Sequence, residues 1–479
     1  MPPGPTYRAT PTFPALGEGF CDVVSPAQFP EHTRRFRNQR WACRVGLDTL
    51  DDEEWTRHLA RFVPLPDNLP KALALRYHGH QFGVYNPHLG DGRGFLFAQL
   101  RDARDGRLLD IGTKGSGQTP WSRGGDGRLT LKGGVREVLA TEMLEALGVY
   151  TSKSFSLFET GERLLRGDEP SPTRSSVLVR LSHSHIRFGS FQRLAYIGDD
   201  AGRKRLLEFA IEHYVPDLAR KPGEEPAAAF LRTVGQRTAD LCASWMVAGF
   251  VHGVLNTDNM NITGESFDYG PYRFLPTYDP DFVAAYFDES GLYAFGRQPE
   301  RVHWNVVQLA RALRTLAPDG EIESAVNAFE PTLIAAAQTR FLERIGLRAK
   351  GPEPDGDLVE ACYHYLASSG VGYDQFFFDW HGGAASEKRA MRGPDAGRYA
   401  MQEFVAVRRR MESYEPARAE RLDDPYYQRT EPCTLLIDEI ESIWDAIAKR
   451  DDWSAFDAKI ADIRAMGAVL RADESARWD

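Results

Sequence analysis

The sequence predicts an α+β fold with two lobes, a β-rich first lobe carrying one key helix and a larger helical second lobe. Three observations carry that prediction. The 479 residues exceed the about 250 to 300 that one hydrophobic core usually serves. Between about 72 and 192, short apolar runs alternate with glycine-rich turns, which is strand chemistry. After about 203 the apolar residues recur at helical spacing instead. The expected boundaries are an N-terminal extension over 1–70, the first lobe over 71–195, the second over 196–350, and a helical C-terminal extension over 351–479 packed on the second lobe.

In chain order, residues 1–70 are rich in proline and aromatics and read as an extended arm followed by a short helix around 51–62. FLFAQL (95–100), LLDIG (108–112), SFSLFE (154–159) and SVLVRLS (176–182) are the expected strands. One helix interrupts them, in VREVLATEMLEALG, where Val135, Leu139, Met143, Leu144 and Leu147 share a face. PAAAFLRTVGQRTADLCASWMVAGF (226–250) opens the helical part, with Phe230, Val234, Leu241, Trp245 and Met246 in one stripe. Helices follow over 306–316 and 322–346, while 352–357 and 381–398 read as loops.

Composition bounds the function. With 42% hydrophobic and 26% charged residues, the chain is an ordinary globular protein. It has no apolar run of 18 residues and no basic-then-apolar leader, so neither a membrane span nor a secretory signal is expected. Five scattered cysteines without a C-x-x-C pair argue against a disulfide framework and for a reducing, cytoplasmic setting. A net charge of -10 argues against general nucleic-acid binding, so any polyanion needs a local cluster of cations.

Such a cluster can be assembled. In NPHLGDGRGFLFAQL, Gly90, Gly92 and Gly94 precede a strand rather than a helix, which excludes a dinucleotide fingerprint and a Walker loop. Placed at a hairpin tip, they would let backbone N–H groups reach phosphates, with Arg93 as a nearby cation. A plain tight hairpin is the simpler reading of the cluster alone. Lys114 ends a strand between glycines that leave its ammonium open, and Glu137 lies on the following helix. That is the order of a phosphate-positioning ion pair. Arg180 and Arg187 add two planar guanidinium groups suited to phosphate. Taken singly, each of these charges would be a surface residue; their order in the chain favours a site. The H-x-H pairs His78/His80 and His183/His185 lack a third ligand, so they are expected to hydrogen-bond within the lobe rather than bind zinc.

The stretch HGVLNTDNMNITGESFDYG (252–270) follows the long helix. A kinase catalytic loop runs H-x-D-x-x-x-x-N, with the Asp as base and the Asn on the metal. Asn259 falls seven residues after His252 as required, but the base position holds Val254. Asp268, in the D-Y-G triplet, supplies a second hard oxygen ligand for magnesium or manganese. Asp258, beside Asn259, is the one carboxylate placed to act as a base from the other side of the loop. Lobe order and loop together describe a protein-kinase-like bilobal fold. A chance loop Asp in an inactive kinase remains open at this point.

The series L-G-D-G-R-G, T-K-G-S-G-Q-T-P-W-S-R-G-G-D-G-R, the arginine pair, H-G-V-L-N-T-D-N-M and D-Y-G-P resembles the selenoprotein O family, whose bacterial members are called YdiU proteins. The resemblance is dense over about 70–300 and thinner elsewhere. It implies a kinase-like enzyme that binds ATP in a flipped orientation, transfers AMP to Ser, Thr or Tyr hydroxyls of proteins and releases pyrophosphate. UMP transfer from UTP with manganese is described for some bacterial members. Carried over by motif, Gly90, Gly92, Arg93, Lys114, Asp126, Gly127, Arg180, Arg187 and Asp268 hold the nucleotide. Asp258 is the base, Asn259 and Asp268 hold the metal, and Glu137 orients Lys114. Protein substrates of redox or stress metabolism and a monomeric state are expected on the same ground. The rival readings are γ-phosphoryl transfer and a silent ATP-binding scaffold.

One departure concerns redox control. Family members often carry a cysteine near the C-terminus, and certain bacterial ones pair it with a second after D-Y-G. Here the segment YDPDFVAAYFDES has Ala284 at that position, and LRADESARWD has no cysteine. The redox latch is therefore expected to be absent.

Overall fold

The computed structural model describes residues 3–471. Its first half is built on one antiparallel sheet and its second half is helical. The sheet contains β1 (Cys21–Val24), β2 (Thr33–Arg37) and β3 (Ala72–Leu75). A separate small hairpin, β4 (Gly79–Gln81) and β5 (Val84–Asn86), comes next. The chain then returns to the sheet with β6 (Leu96–Arg101), β7 (Leu108–Lys114), β8 (Leu129–Thr130), β9 (Lys153–Leu164) and β10 (Thr173–Ser182). The strand order is β1-β3-β6-β7-β10-β9-β2, with β8 beside β10. All four expected strands are present. Two more, at the sheet's outer positions, come from the arm that read as extended.

Side-chain alternation puts a core on each face of the sheet. Leu96, Leu108, Leu157 and Leu178 face the helix α3 (Leu131–Ala146), whose Val135, Leu139 and Met143 are buried against them. Phe97, Ile111, Phe155, Val177 and Val179 face the other way. There they meet Trp41 of α1 (Gln39–Arg44) and Trp55 of α2 (Asp52–Leu59). The interrupting helix and the short helix near 51–62 thus stand where the pattern put them.

The helical half begins with α4 (Phe188–Tyr196), α5 (Asp200–Tyr214) and α6 (Pro226–Ala248). Gly249, at φ +65°, caps α6 and turns the chain into β11 (Phe250–Val251), which pairs with β12 (Arg273–Phe274) around the 252–270 loop. Then come α7 (Gln298–Leu313), α8 (Asp319–Asn327) and α9 (Phe329–Ile345), so the pattern over 322–346 is two helices rather than one. The stretch 352–357 is the first turn of α10 (Pro352–Ser369) and not a loop. Its prolines lie in that first turn, where their missing N–H groups cost nothing. After α11 (Tyr373–Asp379), the supposed loop 381–398 contains two short helices, α12 (Glu387–Ala390) and most of α13 (Ala396–Tyr399). α14 (Val405–Met411) closes this part of the chain.

The last two helices, α15 (Ile437–Arg450) and α16 (Ser454–Leu470), pack on α3 of the sheet half. Arg464 binds Glu142 through two hydrogen bonds of 2.8 and 2.9 Å, and Lys132 pairs with Glu441 at 2.7 Å. No helix among the described residues is long and apolar enough to cross a membrane. All five cysteines are unpaired and Ala284 is buried; most of the cysteine-free LRADESARWD segment lies outside the described residues.

Candidate active site

A cavity of about 570 Å³ lies where the glycine loop, the sheet and the 252–270 loop meet. Gly90, Gly92, Arg93, Lys114, Asp126, Gly127, Arg180, Arg187, Asp258 and Asp268 all line it. Asn259 and Glu137 are not lining residues; Glu137 pairs with the lining Lys114, and Asn259 shares a short helical turn with the lining Asp258.

Strand register explains the cations. Lys114 ends β7 opposite Leu178, and Arg180 lies opposite Gly112, so both side chains project from the same face of adjoining strands. α3 covers that face and brings Glu137 onto the Lys114 ammonium. Lys114 also reaches Asp268 at 2.7 Å, and its side chain is only 6% exposed. The ammonium therefore faces two carboxylates in a buried niche, not open solvent as the flanking glycines suggest. Arg187, just before α4, donates from Nη1 to the Asp258 backbone oxygen at 2.9 Å and from Nη2 to Asp91 Oδ1 at 3.3 Å. The rings of Tyr77 and Phe267 lie 4.4 and 4.8 Å from its guanidinium carbon. Both arginines leave Nε buried without an acceptor among the described residues.

The glycine loop is not a hairpin tip. It runs from β5 of the small hairpin into β6 of the large sheet, and its glycines answer to packing. A Cβ on Gly90 would lie 2.4 Å from the Trp121 ring, one on Gly92 2.8 Å from the Trp121 carbonyl oxygen, and one on Gly94 2.0 Å from the Thr113 oxygen. The loop thereby lies flat against 113–122. Asp126 closes the far side, its two carboxylate oxygens accepting hydrogen bonds from Arg166 at 2.8 and 3.0 Å.

The two acidic residues have opposite electrostatics. Burial raises Asp258 to about 6, with Arg187 opposing, and its Oδ1 accepts no hydrogen bond among the described residues. Burial also opposes ionisation of Asp268, but Lys114, Arg180 and Arg187 outweigh it and hold that carboxyl well below the usual range. Asp268 has a left-handed backbone, φ +70°. Its neighbours are fixed: Ser266 exchanges 2.8 Å backbone bonds with Tyr150 and Ser152, Trp245 Nε1 donates to Ser266 Oγ at 3.0 Å, and His252 Nε2 meets the Phe267 oxygen at 3.2 Å. Asn259 donates from Nδ2 to the Val254 oxygen at 3.0 Å. The residue that replaces the kinase base thus orients the next candidate ligand through its backbone, and Oδ1 of Asn259 is left over.

The histidine pairs bond locally. His78 meets the Tyr85 hydroxyl at 2.8 Å, His80 the Gln192 amide at 2.9 Å, and His183 the Tyr150 hydroxyl at 2.5 Å, while His185 sits on Asp110. No group of three or more His, Cys, Asp or Glu among the described residues forms a metal cluster. Sequence reasoning missed Tyr77, Asp91, Trp121, Arg128 and Arg166 in the cavity wall. Asp91 stood inside the glycine cluster and could have been flagged; Arg166 lies in the loop between β9 and β10, which carries no signal.

Comparison with known proteins agrees with this geometry. The family described as Protein adenylyltransferase SelO matches residues 5–464. A protein nucleotidyltransferase YdiU of Gloeobacter violaceus is 46% identical over 476 residues, covering 96% of this chain and 95% of its own. The Synechocystis protein of the same description is 44% identical over 94% of this chain and 96% of its own. That of Vibrio cholerae is 38% identical over 76% and 73%. With a family match over nearly its whole length and a cavity assembled from the family's motifs, the chain belongs to the SelO family of protein nucleotidyltransferases.

Proposed function

We propose that the cavity holds ATP with its terminal phosphates turned inward onto Lys114, Arg180 and Arg187. Asp258 then takes the proton of an acceptor Ser, Thr or Tyr hydroxyl as that oxygen attacks the α-phosphorus. The new O–P bond forms, the bond from the α-phosphorus to the β-bridging oxygen breaks, AMP stays on the protein and pyrophosphate leaves. The observation that carries this reading is Asp258 itself, a buried carboxylate with an unpartnered oxygen in the same cavity as three buried cations. Gly90, Gly92, Arg93, Asp126 and Gly127 form the rest of the nucleotide cradle, and Glu137 orients Lys114.

The donor set suits the divalent ion that such an enzyme uses. Asn259 Oδ1 and the Asp268 carboxylate are hard oxygen ligands appropriate to magnesium or manganese. When bound, the ion offsets phosphate charge. Lys114, Arg180 and Arg187 all pair with Asp268. A polyphosphate would offer the same cations stronger partners and leave the Asp268 carboxylate to a metal. The Lys114–Glu137 pair in the sheet half and the 252–270 loop in the helical half support a protein-kinase-like arrangement, with lobes over 71–195 and 196–350. Unpaired cysteines support a reducing, cytoplasmic setting. UTP with manganese is the second donor to be tried.

Labelled donors test the chemistry. With ATP carrying radioactive phosphorus at α or at γ, and magnesium or manganese present, label should remain on acceptor protein only from the α position. Label only from γ would make the enzyme a kinase, and nucleotide binding without either label a scaffold.

A further inference from the structure

Beside the cavity lies an apolar ledge for which the transfer chemistry has no use. β4 and β5 are joined by a two-residue turn, Phe82 and Gly83, at φ +52° and +79°. Turns of this kind favour Asn or Gly at both positions. A phenylalanine there is strained, and this one is also 47% exposed. One edge of its ring packs on the buried Tyr293, with centres 5.4 Å apart, and the rest is open. Val84, the next strand residue, is 71% exposed. Tyr286 and Phe287, from the segment after the D-Y-G loop, are 83% and 45% exposed. Phe287 packs edge-on against Phe82 with ring centres 5.9 Å apart, and Tyr286 against Phe287 at 5.2 Å.

The ledge is fastened to the loop of Asp258. The Phe82 N–H donates to Asn256 Oδ1 at 3.2 Å and to the Tyr293 hydroxyl at 3.1 Å, which itself donates to Asn256 Oδ1 at 2.6 Å. His80 N–H donates to Thr257 Oγ1 at 2.7 Å, and a Cβ on Gly79 would lie 3.2 Å from Asp258 Cβ. Gln81, the residue before Phe82, lines the cavity. The rings therefore begin at the rim next to Asp258. The segment that supplies Tyr286 also exposes Asp279, Asp281 and Glu289. Gln81 and Asp258 line the same cavity, so the ledge borders the side of the cavity where Asp258 stands.

We propose that Phe82, Val84, Tyr286 and Phe287 form the docking ledge for the acceptor protein, receiving an extended segment with a large apolar residue beside the modified hydroxyl and a basic residue facing the nearby carboxylates. The ledge deepens the reading above and rests on Asp258 being the group that meets the hydroxyl. Exposed aromatic surface gives a large apolar side chain binding area at the rim.

Two synthetic peptides test the ledge, one with serine flanked by leucines and an arginine nearby, the other with glycines in place of those three residues. The wild-type enzyme should use the first with kcat/KM about tenfold higher, the scale of burying one apolar side chain. In Tyr286→Ser/Phe287→Ser its KM should rise about tenfold, with kcat and calorimetric ATP affinity unchanged. Phe82→Gly relieves the left-handed strain, so it should keep or raise Tm and yet lose the preference. Equal use of the peptides by wild type, or a preference intact in both variants, overturns the ledge. Transfer that survives Asp258→Asn would instead overturn the base, with the peptide preference standing apart from it.

Discussion

Asp258 and Asp268 share one cavity, yet their surroundings push them in opposite directions, and that difference supports the roles proposed for them. Asp268 is kept ionised by three cations, which suits the proposed metal ligand, whereas Asp258 is raised to about 6 by burial, which suits the proposed proton acceptor. Asp258→Asn should lower kcat about 100- to 10,000-fold while ATP affinity by calorimetry stays within about threefold. Asp268→Asn should lose metal-dependent affinity as well. Glu265, three residues before Asp268, makes a separate prediction. Burial raises its carboxyl to about 7, with Lys153 opposing, and it accepts the His183 N–H at 2.8 Å. Its folded pKa lies above the ~4.3 of an unfolded Glu, so the folded chain holds the proton more tightly. That contribution is complete below about pH 4 and lost as pH rises through about 7. Glu265→Gln mimics the protonated form, and its stability advantage in urea denaturation should grow by up to ~3 kcal/mol between pH 5 and pH 8. That the cavity's charged residues would gather was legible because their types and order in the chain follow a motif. Glu265 was not, because nothing local to it in sequence says that Lys153 and His183 will surround it.

At the scale of elements, the glycine loop shows where a motif and its reason can part. The glycines read as a phosphate-approaching hairpin tip, but in the fold they are where the 113–122 segment presses on the loop. Gly94→Ala would place a methyl group 2.0 Å from the Thr113 carbonyl oxygen, one residue before Lys114. Neither backbone can yield without moving β6 from β7, so the substitution should cost about 1 to 3 kcal/mol in urea denaturation. ATP affinity should fall with it, since Lys114 shifts too. The strands over 95–182 were readable because both faces of the sheet are buried and their apolar runs end at glycine turns. β1 and β2 were not, because edge strands such as TRRFR are half polar and lie in a proline-rich stretch. The opening turn of α10 was misread for a related reason: its Pro, Asp and Gly residues are loop formers unless a helix begins on them.

At the scale of the molecule, residues over 300 positions apart meet on α3, a contact that no local pattern could announce. One face of α3 carries Glu137 to Lys114; another is covered by α15 and α16, with Arg464 on Glu142 and the Gly467 backbone against Ala146. The terminal helices therefore brace the helix that carries Glu137 to Lys114. Deleting residues 437–479 would expose the buried Glu142, Glu145 and Ala146 to water and remove the support that fixes the helix rotation. Glu137 would then hold Lys114 less well, because a pair formed across two elements is only as rigid as their packing. The shortened chain should keep its sheet and most of its helix by circular dichroism, yet bind ATP at least about tenfold more weakly by calorimetry. Arg464→Ala, which leaves Glu142 its contacts to Arg40 and Asn38, should show the same effect at smaller amplitude. Full ATP affinity in the folded, shortened chain would mean that α3 is held by the sheet alone and that the terminal helices serve another purpose.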